Sequence, residues 1–319
     1  MLREANALKR FDKAGIAALD AAFSSGPLAD AIDCAPEIPR RRGLSPQQFE
    51  QEHRRLQRPV LLEGMVGDWP AIRHWSFRHL AERCGSTVVT VDGYNSEKAR
   101  EMTFAEFAAL LEAAEGKQPA SPVYLQEWYY KTAAPALADD IPELDIAQYD
   151  FRRNLYGENI STNHQLWIGQ RGGVTIMHQD SYMVDVMHVQ IVGEKRWYVM
   201  SPAAQLHYRD DGELDFEGLV RDPKTQLMQC TLKPGEVLYL PALWWHRVEL
   251  LSDSIGLGRK CLDESNLQAH IRLRMAELLS LALNPDEVRE THPELFNVVM
   301  KRARTWAKRM DIDLSKLRP

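Results

Sequence analysis

The run "VTIMHQD" sets His178 and Asp180 two residues apart. In a β-strand residues i and i+2 share a face, so an imidazole and a carboxylate stand side by side, able to bind a metal ion. Such a pair is common by chance, and the bland alternative is that the two groups only hydrogen-bond each other within a sheet. A second histidine changes the balance. "PGEVLYLPALWWH" carries a Pro-Gly turn, a strand and then His246 behind two tryptophans. Two histidines and one carboxylate on one face of a metal leave positions open for a co-substrate and dioxygen, the arrangement expected of a mononuclear Fe(II) site.

Lys195 opens "KRWYVM", where Lys195, Trp197 and Val199 share a face. An ammonium turned into a barrel interior needs an anion; otherwise it must snorkel to the rim. With iron in the triad, a dicarboxylate chelating the metal puts its distal carboxylate within reach of Lys195. Thr175, three residues before His178, is placed to hydrogen-bond the same group. His188 shares a face with Val184, Val186 and Gln190. It is either a satisfied core histidine or a pocket residue, and nearby Asp185 is equally open. Trp197, Tyr198, Trp244 and Trp245 could support the metal, although core packing explains them too. His164 and His207 fall near loop or strand ends and read as surface or supporting residues. His53, His74, His79, His270 and His292 sit on or beside helices and read as structural.

These residues need a scaffold, and the chain punctuates one. Ser45-Pro46 supplies an N-cap and a first-turn proline for a helix through Arg55. "RPVLLEG" and "STVVTVDG" read as strands. Helices run from Ser76 to Gly85, and from the capping box Thr103-Phe-Ala-Glu106 to Gly116. From Val123 to Leu262 nine short β-rich runs follow one another with turns and no intervening helical pattern. That pattern predicts a mainly β core, an antiparallel sandwich or small barrel such as a jelly roll (double-stranded β-helix). Helical periodicity returns after Ser265, with one apolar stripe through Leu267, Ile271, Met275, Leu278 and Leu279. A second runs through Leu295, Val298, Val299 and Trp306. The expected organisation is a mixed α/β region over 1–122, the catalytic jelly roll over 123–262 and a helical extension over 263–319.

The formal net charge of −6 over 319 residues argues against a general nucleic-acid or membrane surface. The basic run Met300–Met310 reads as the solvated face of a helix. Cys34, Cys84, Cys230 and Cys261 are widely spaced, which suits free thiols in a reducing compartment. With no apolar signal core at the N-terminus and no long apolar span, the expected location is cytoplasmic.

"PVLLEGMVGDWPA", "MTFAEFAALL", "VYLQEW", "LWIGQRGGVTIMHQD", "VQIVGEKRWYVMSP" and "LKPGEVLYLPALWWHRVE" together resemble the JmjC/cupin-8 group of Fe(II)/2-oxoglutarate oxygenases. Within the group the likeness is to asparaginyl hydroxylases, from about residue 58 to the C-terminus. The resemblance implies iron on His178, Asp180 and His246, and the distal carboxylate of 2-oxoglutarate on Lys195, Thr175 and Tyr124. It also implies Gln126 near the substrate and a homodimer through the C-terminal helices. The chain departs from those relatives around the pocket. The interval from His178 to Lys195 is longer, a pocket asparagine falls at Val186 or His188, and a second corresponds to Lys260. The implied activity is hydroxylation of a protein or peptide side chain with O2 as co-substrate, releasing succinate and CO2. Hydroxylation of a free amino acid or other small metabolite is the alternative. A tRNA-base hydroxylase sits poorly with the acidic balance, and a histone demethylase or a non-catalytic metal-binding cupin ranks lower still.

Overall fold

A computed structural model describes residues 13–23, 27–91, 99–114, 117, 119–144, 146, 151, 164–180, 183–212, 214–283, 286, 289, 290, 293, 296, 297, 300 and 301. Two compact units divide the chain, Met1–Leu267 and Gln268–Pro319.

In the first unit the strands are β1 (Arg40–Arg42), β2 (Val60–Glu63), β3 (Val88–Val91), β4 (Arg100–Thr103), β5 (Tyr124–Trp128), β6 (His164–Gly169), β7 (Val174–His178), β8 (Asp185–Val192), β9 (Lys195–Met200), β10 (Met228–Leu232), β11 (Val237–Leu240), β12 (Trp245–Leu250) and β13 (Ser254–Cys261). The nine β-rich runs of the sequence are β5 to β13. They form a large sheet in the order β1-β2-β11-β8-β13-β6-β5 and a small one in the order β10-β9-β12-β7; β3 and β4 pair by themselves. β1 and β2 run parallel, and the barrel pairings are antiparallel. Along the chain β6, β8, β11 and β13 go to the large sheet, and β7, β9, β10 and β12 to the small one. Chain crossings from sheet to sheet make the jelly roll. Gly193 makes one of them, at φ +72°, with a Cβ there falling 2.1 Å from the Asp253 carbonyl oxygen. No L side chain fits that approach.

Alternation along each strand sorts the side chains into layers. The outer face of the large sheet, with Met187, Val189, Ile191 and Tyr239, packs on Trp69, Leu80, Phe104 and Phe107 from the preceding helices. Those helices start where the sequence places them: Ser76 accepts from the His79 amide, and Thr103 and Glu106 close a reciprocal capping box. The helix capped by Ser45 is regular only over Pro46–Phe49 and then widens into a π-turn over Glu50–Arg54. The outer face of the small sheet, with Met177, Tyr198, Met200 and Trp245, packs on Leu19, Leu28 and Ile32 of the helices Lys13–Ala22 and Pro27–Asp33. Between the sheets Leu61, Trp197, Val199, Leu232, Leu238, Leu240 and Val248 fill the barrel. β8 is buried at every residue but its last, because large-sheet neighbours flank it and both faces are covered.

The second unit holds most of the helix Leu267–Leu283, and Arg289 lies over the Phe296 ring at 4.7 Å. The second apolar stripe, at Leu295, Val298, Val299 and Trp306, the helix end at Gly116 and all of the basic run past Lys301 lie outside the described residues. Among the described residues no helix is long and apolar enough to cross a membrane.

Candidate metal and co-substrate site

His178 closes β7 and His246 lies opposite it on β12. The next registered pair is Val248 with Thr175, so two residues of β12 face three of β7. This β-bulge rephases the strand. In a regular strand residues three apart point to opposite faces, yet Thr175 and His178 both line one cavity. The bulge leaves Met177 out of the regular ladder. Its amide donates to Asp20 Oδ1 of the N-terminal helix at 3.2 Å, and the same oxygen accepts from the Arg247 guanidinium.

Donor atoms of His178, Asp180 and His246 lie within 4.8 Å of one another. Each imidazole is oriented by backbone: His178 Nδ1 is 2.8 Å from the Ile176 carbonyl oxygen, and His246 Nδ1 is 3.0 Å from that of Trp244. With Nδ1–H donating there, each Nε2 keeps its lone pair for a metal. Trp197 stacks on His246 with ring centroids 5.6 Å apart. Burial, with His178 beside it, lowers the His246 pKa to about 4. Burial opposes charge on Asp180, but His246, Lys260 and His178 hold its carboxyl below the ordinary range. A neutral imidazole and an ionised carboxylate are the metal-binding forms. Between His178, the last residue of β7, and Asp180 beyond it, Gln179 donates to the Leu243 carbonyl at 2.6 Å, tying this segment to the turn before His246.

The cavity has a volume of about 230 Å³, and Tyr124, Gln126, Trp167, Thr175, His188, Lys195, Trp197 and Lys260 also line it. Its inner end is unlike the triad. Lys195 is wholly buried, and among the described residues neither its Nζ nor His188 Nε2 has a hydrogen-bond partner. Burial alone brings the Lys195 pKa down to about 7, and burial, then Lys195, keep His188 neutral far below its ordinary value. The Tyr124 hydroxyl shares a hydrogen bond with Thr175, and its ring lies 5.8 Å from Lys195 Nζ. The two carboxylates among the described cavity residues, Asp180 and Glu127, belong elsewhere. Glu127 sits at a bulge of β5 with φ +52° and pairs with Lys260 at 3.6 Å.

Two residues left open between a pocket or supporting role and simple packing do not line the cavity. Trp245 points outward into the cluster with Met177 and Leu19, because it precedes the inward His246 on the same strand. Asp185 accepts from the Tyr239 hydroxyl and from the Ala242 amide, each at 2.8 Å. It holds the turn that delivers β12, and burial next to Asp263 raises its pKa to about 6. His164, read as a surface or supporting residue, is buried at the start of β6. Asp20, Gln179 and Arg247 drew no notice in the sequence, since none carries a spacing signal and their roles depend on the bulge and the turns.

The family model for the cupin-like domain matches residues 46–261. This chain belongs to the cupin-like domain family. Among its relatives, the lysine-specific demethylase JMJ21 of Arabidopsis thaliana is 26% identical over 292 residues, covering 82% of this chain and 30% of the relative. The arginine-specific demethylase JMJ22 of the same plant is 27% identical, covering 72% of this chain and 47% of the relative. HSPB1-associated protein 1 of Rattus norvegicus is 26% identical, over 80% of this chain and 62% of the relative. The cupin-like chain thus spans less than two thirds of each of these proteins. JmjC enzymes in this family use Fe(II) and 2-oxoglutarate with O2. The residues present fit both groups: a two-histidine, one-carboxylate donor set at one end, and an orphaned buried ammonium at the other.

Proposed function

We propose that this protein is an Fe(II)- and 2-oxoglutarate-dependent oxygenase that hydroxylates an unactivated C–H bond in a protein or peptide side chain. One observation carries the reading: a single cavity pairs a cation site with a buried lysine that has no acidic partner among the described residues. A 2-oxo dicarboxylate matches both ends. His178, Asp180 and His246 would hold the iron, and Lys195, Thr175 and Tyr124 would grip the far carboxylate. When bound, iron supplies dioxygen activation: 2-oxoglutarate becomes succinate and CO2, with one oxygen atom entering succinate and the other the substrate. The side chains hold and orient rather than shuttle protons. Trp167, Val186, Leu240 and Val248 give the cavity an apolar wall that keeps water from the reacting centre. Gln126 and Lys260 are the groups a substrate would meet.

The names of the demethylase relatives favour a second target for the same reaction, the N-methyl carbon of a lysine or arginine side chain. Glu127, at the cavity wall, already pairs with Lys260, and a substrate cation would compete with that ammonium for its carboxylate. Hydroxylation of the methyl carbon would release formaldehyde.

The test is incubation of iron-loaded protein with 2-oxoglutarate and lysate peptides or metabolites, read by succinate release and mass spectrometry. The expected product is a peptide one oxygen atom heavier. Loss of a methyl group with formaldehyde selects the second target, and an oxidised free amino acid moves the substrate class to metabolites. Succinate at background across the whole panel overturns the reading in favour of a ligand-binding cupin.

A further inference from the structure

We propose that His188 is a further donor to the distal carboxylate, beside Lys195, Thr175 and Tyr124, and that Gly256 keeps open the space this carboxylate fills. The inference rests on the co-substrate reading above. β13 presents Gly258 and Lys260 to the cavity and Gly256 to the cavity-lining His188 and Lys195, while Ile255 and Leu257 pack outward. The two glycines are sites of close approach. A Cβ on Gly258 would fall 2.4 Å from the Trp167 ring. One on Gly256 would fall 2.6 Å from His188 Nε2 and 2.8 Å from Lys195 Nζ. Two buried nitrogens without partners among the described residues therefore converge on one point that a side chain is missing from. A carboxylate offers an oxygen to each, which satisfies both at once. A neutral His188 serves as donor through Nε2–H.

The test compares 2-oxoglutarate with 2-oxobutyrate, which lacks the distal carboxylate, by anaerobic calorimetry on Fe(II)-loaded protein. Wild type is expected to prefer 2-oxoglutarate. His188→Phe should cut that preference by about tenfold or more, leaving 2-oxobutyrate affinity unchanged. His188→Gln, which keeps an N–H donor, should restore most of it. Gly256→Ala should cut it as well, and it carries the test if His188→Phe fails to fold. An unchanged preference in the histidine variant, or in the glycine variant when it stands in, overturns the inference while the co-substrate reading survives. Wild type that binds no 2-oxoglutarate overturns the reading itself.

The bulge in β7 carries an independent inference: we infer that Asp20 is a positioning residue for the metal ligands. It lies before the family match at 46–261. Its carboxylate nevertheless takes the Met177 amide, one residue before His178, and the guanidinium of Arg247, one residue after His246. β7 is the edge of the small sheet, so nothing else in the ladder fixes that amide. Asp20→Ala should weaken Co(II) binding by about 10–100-fold and alter the visible spectrum of the bound ion. Asp20→Asn, which keeps an acceptor for Met177, should recover most of the affinity. Should Asp20→Ala not fold, Arg247→Met removes the other anchor and should weaken binding several-fold. A folded Asp20→Ala with wild-type affinity and spectrum, whatever its melting temperature, overturns the inference, as does an Arg247→Met stand-in with wild-type binding.

Discussion

The two ends of the cavity are built on opposite principles. At the outer end, His178, Asp180 and His246 face one another, each imidazole oriented by a backbone carbonyl. At the inner end, Lys195 and His188 present hydrogen-bond donors into a space where nothing among the described residues accepts from them. One end is a set of electron-pair donors awaiting a cation, and the other a set of proton donors awaiting an anion. A cavity this polarised is complementary to a ligand with a chelating end and an anionic end. Neither end alone specifies that.

Removing a ligand is the strongest attack on the outer end. Asp180→Ala or His178→Ala should abolish turnover and weaken metal binding by more than the roughly 10–100-fold typical of outer-sphere changes, with the fold kept. Normal turnover in both variants would sink the metal assignment. The inner end should respond with the opposite sign in stability. Lys195→Met should lose 2-oxoglutarate affinity by about a hundredfold, yet the ligand-free variant should melt higher. An ammonium held near pKa 7 against an ordinary 10.5 costs about 5 kcal/mol, and an apolar replacement removes that cost. A lower melting temperature would count against an uncompensated buried charge.

A gentler probe is pH. The folded pKa of Lys195 lies below its unfolded value, so its penalty on ligand-free stability is full below about pH 7. It is relieved as pH rises towards 10.5, and stability should rise across that window. His188 and Tyr124, which face Lys195, add no charge there, since burial keeps the first neutral and pushes the second upward. A bound carboxylate favours the ammonium. Affinity for 2-oxoglutarate should therefore be greatest below pH 7 and fall by up to about tenfold per unit above it, with proton uptake visible by calorimetry in buffers of different ionisation enthalpy. Affinity independent of pH between 7 and 9 would remove Lys195 as the anchor. The smallest effect concerns neither end. Ile271 and Met275 remain 39% and 57% exposed on the C-terminal helix, in keeping with the homodimer the resemblance implies. Light scattering should give a dimer at micromolar concentration, and Ile271→Glu should dissociate it without changing either affinity; a monomeric wild type ends that idea.

Much of this was readable in advance for a physical reason. Strand periodicity and turn residues are local, so all nine β-rich runs emerge as strands, and the Thr103–Glu106 box caps its helix. H-x-D spacing keeps the two groups near each other, although β7 ends at His178 and Asp180 lies just beyond the strand. Other assignments needed contacts between distant segments. Thr175 and His178 share a cavity only through a bulge that no spacing rule announces. Asp185 and Trp245 have the composition of pocket residues, but the strand's parity and the turn it supports direct them away.

By itself, the sequence determined the β-rich core, its helical flanks, the residue types of a metal site and the lysine that needs an anion. Each follows from alternation, capping or the cost of burying charge. Tertiary structure alone decided that Thr175 shares the cavity through a bulge, that His188 and Lys195 converge where Gly256 has no side chain, and that Asp20 reaches β7. Those relations join residues far apart in the chain, and pairing across sheets brings them together.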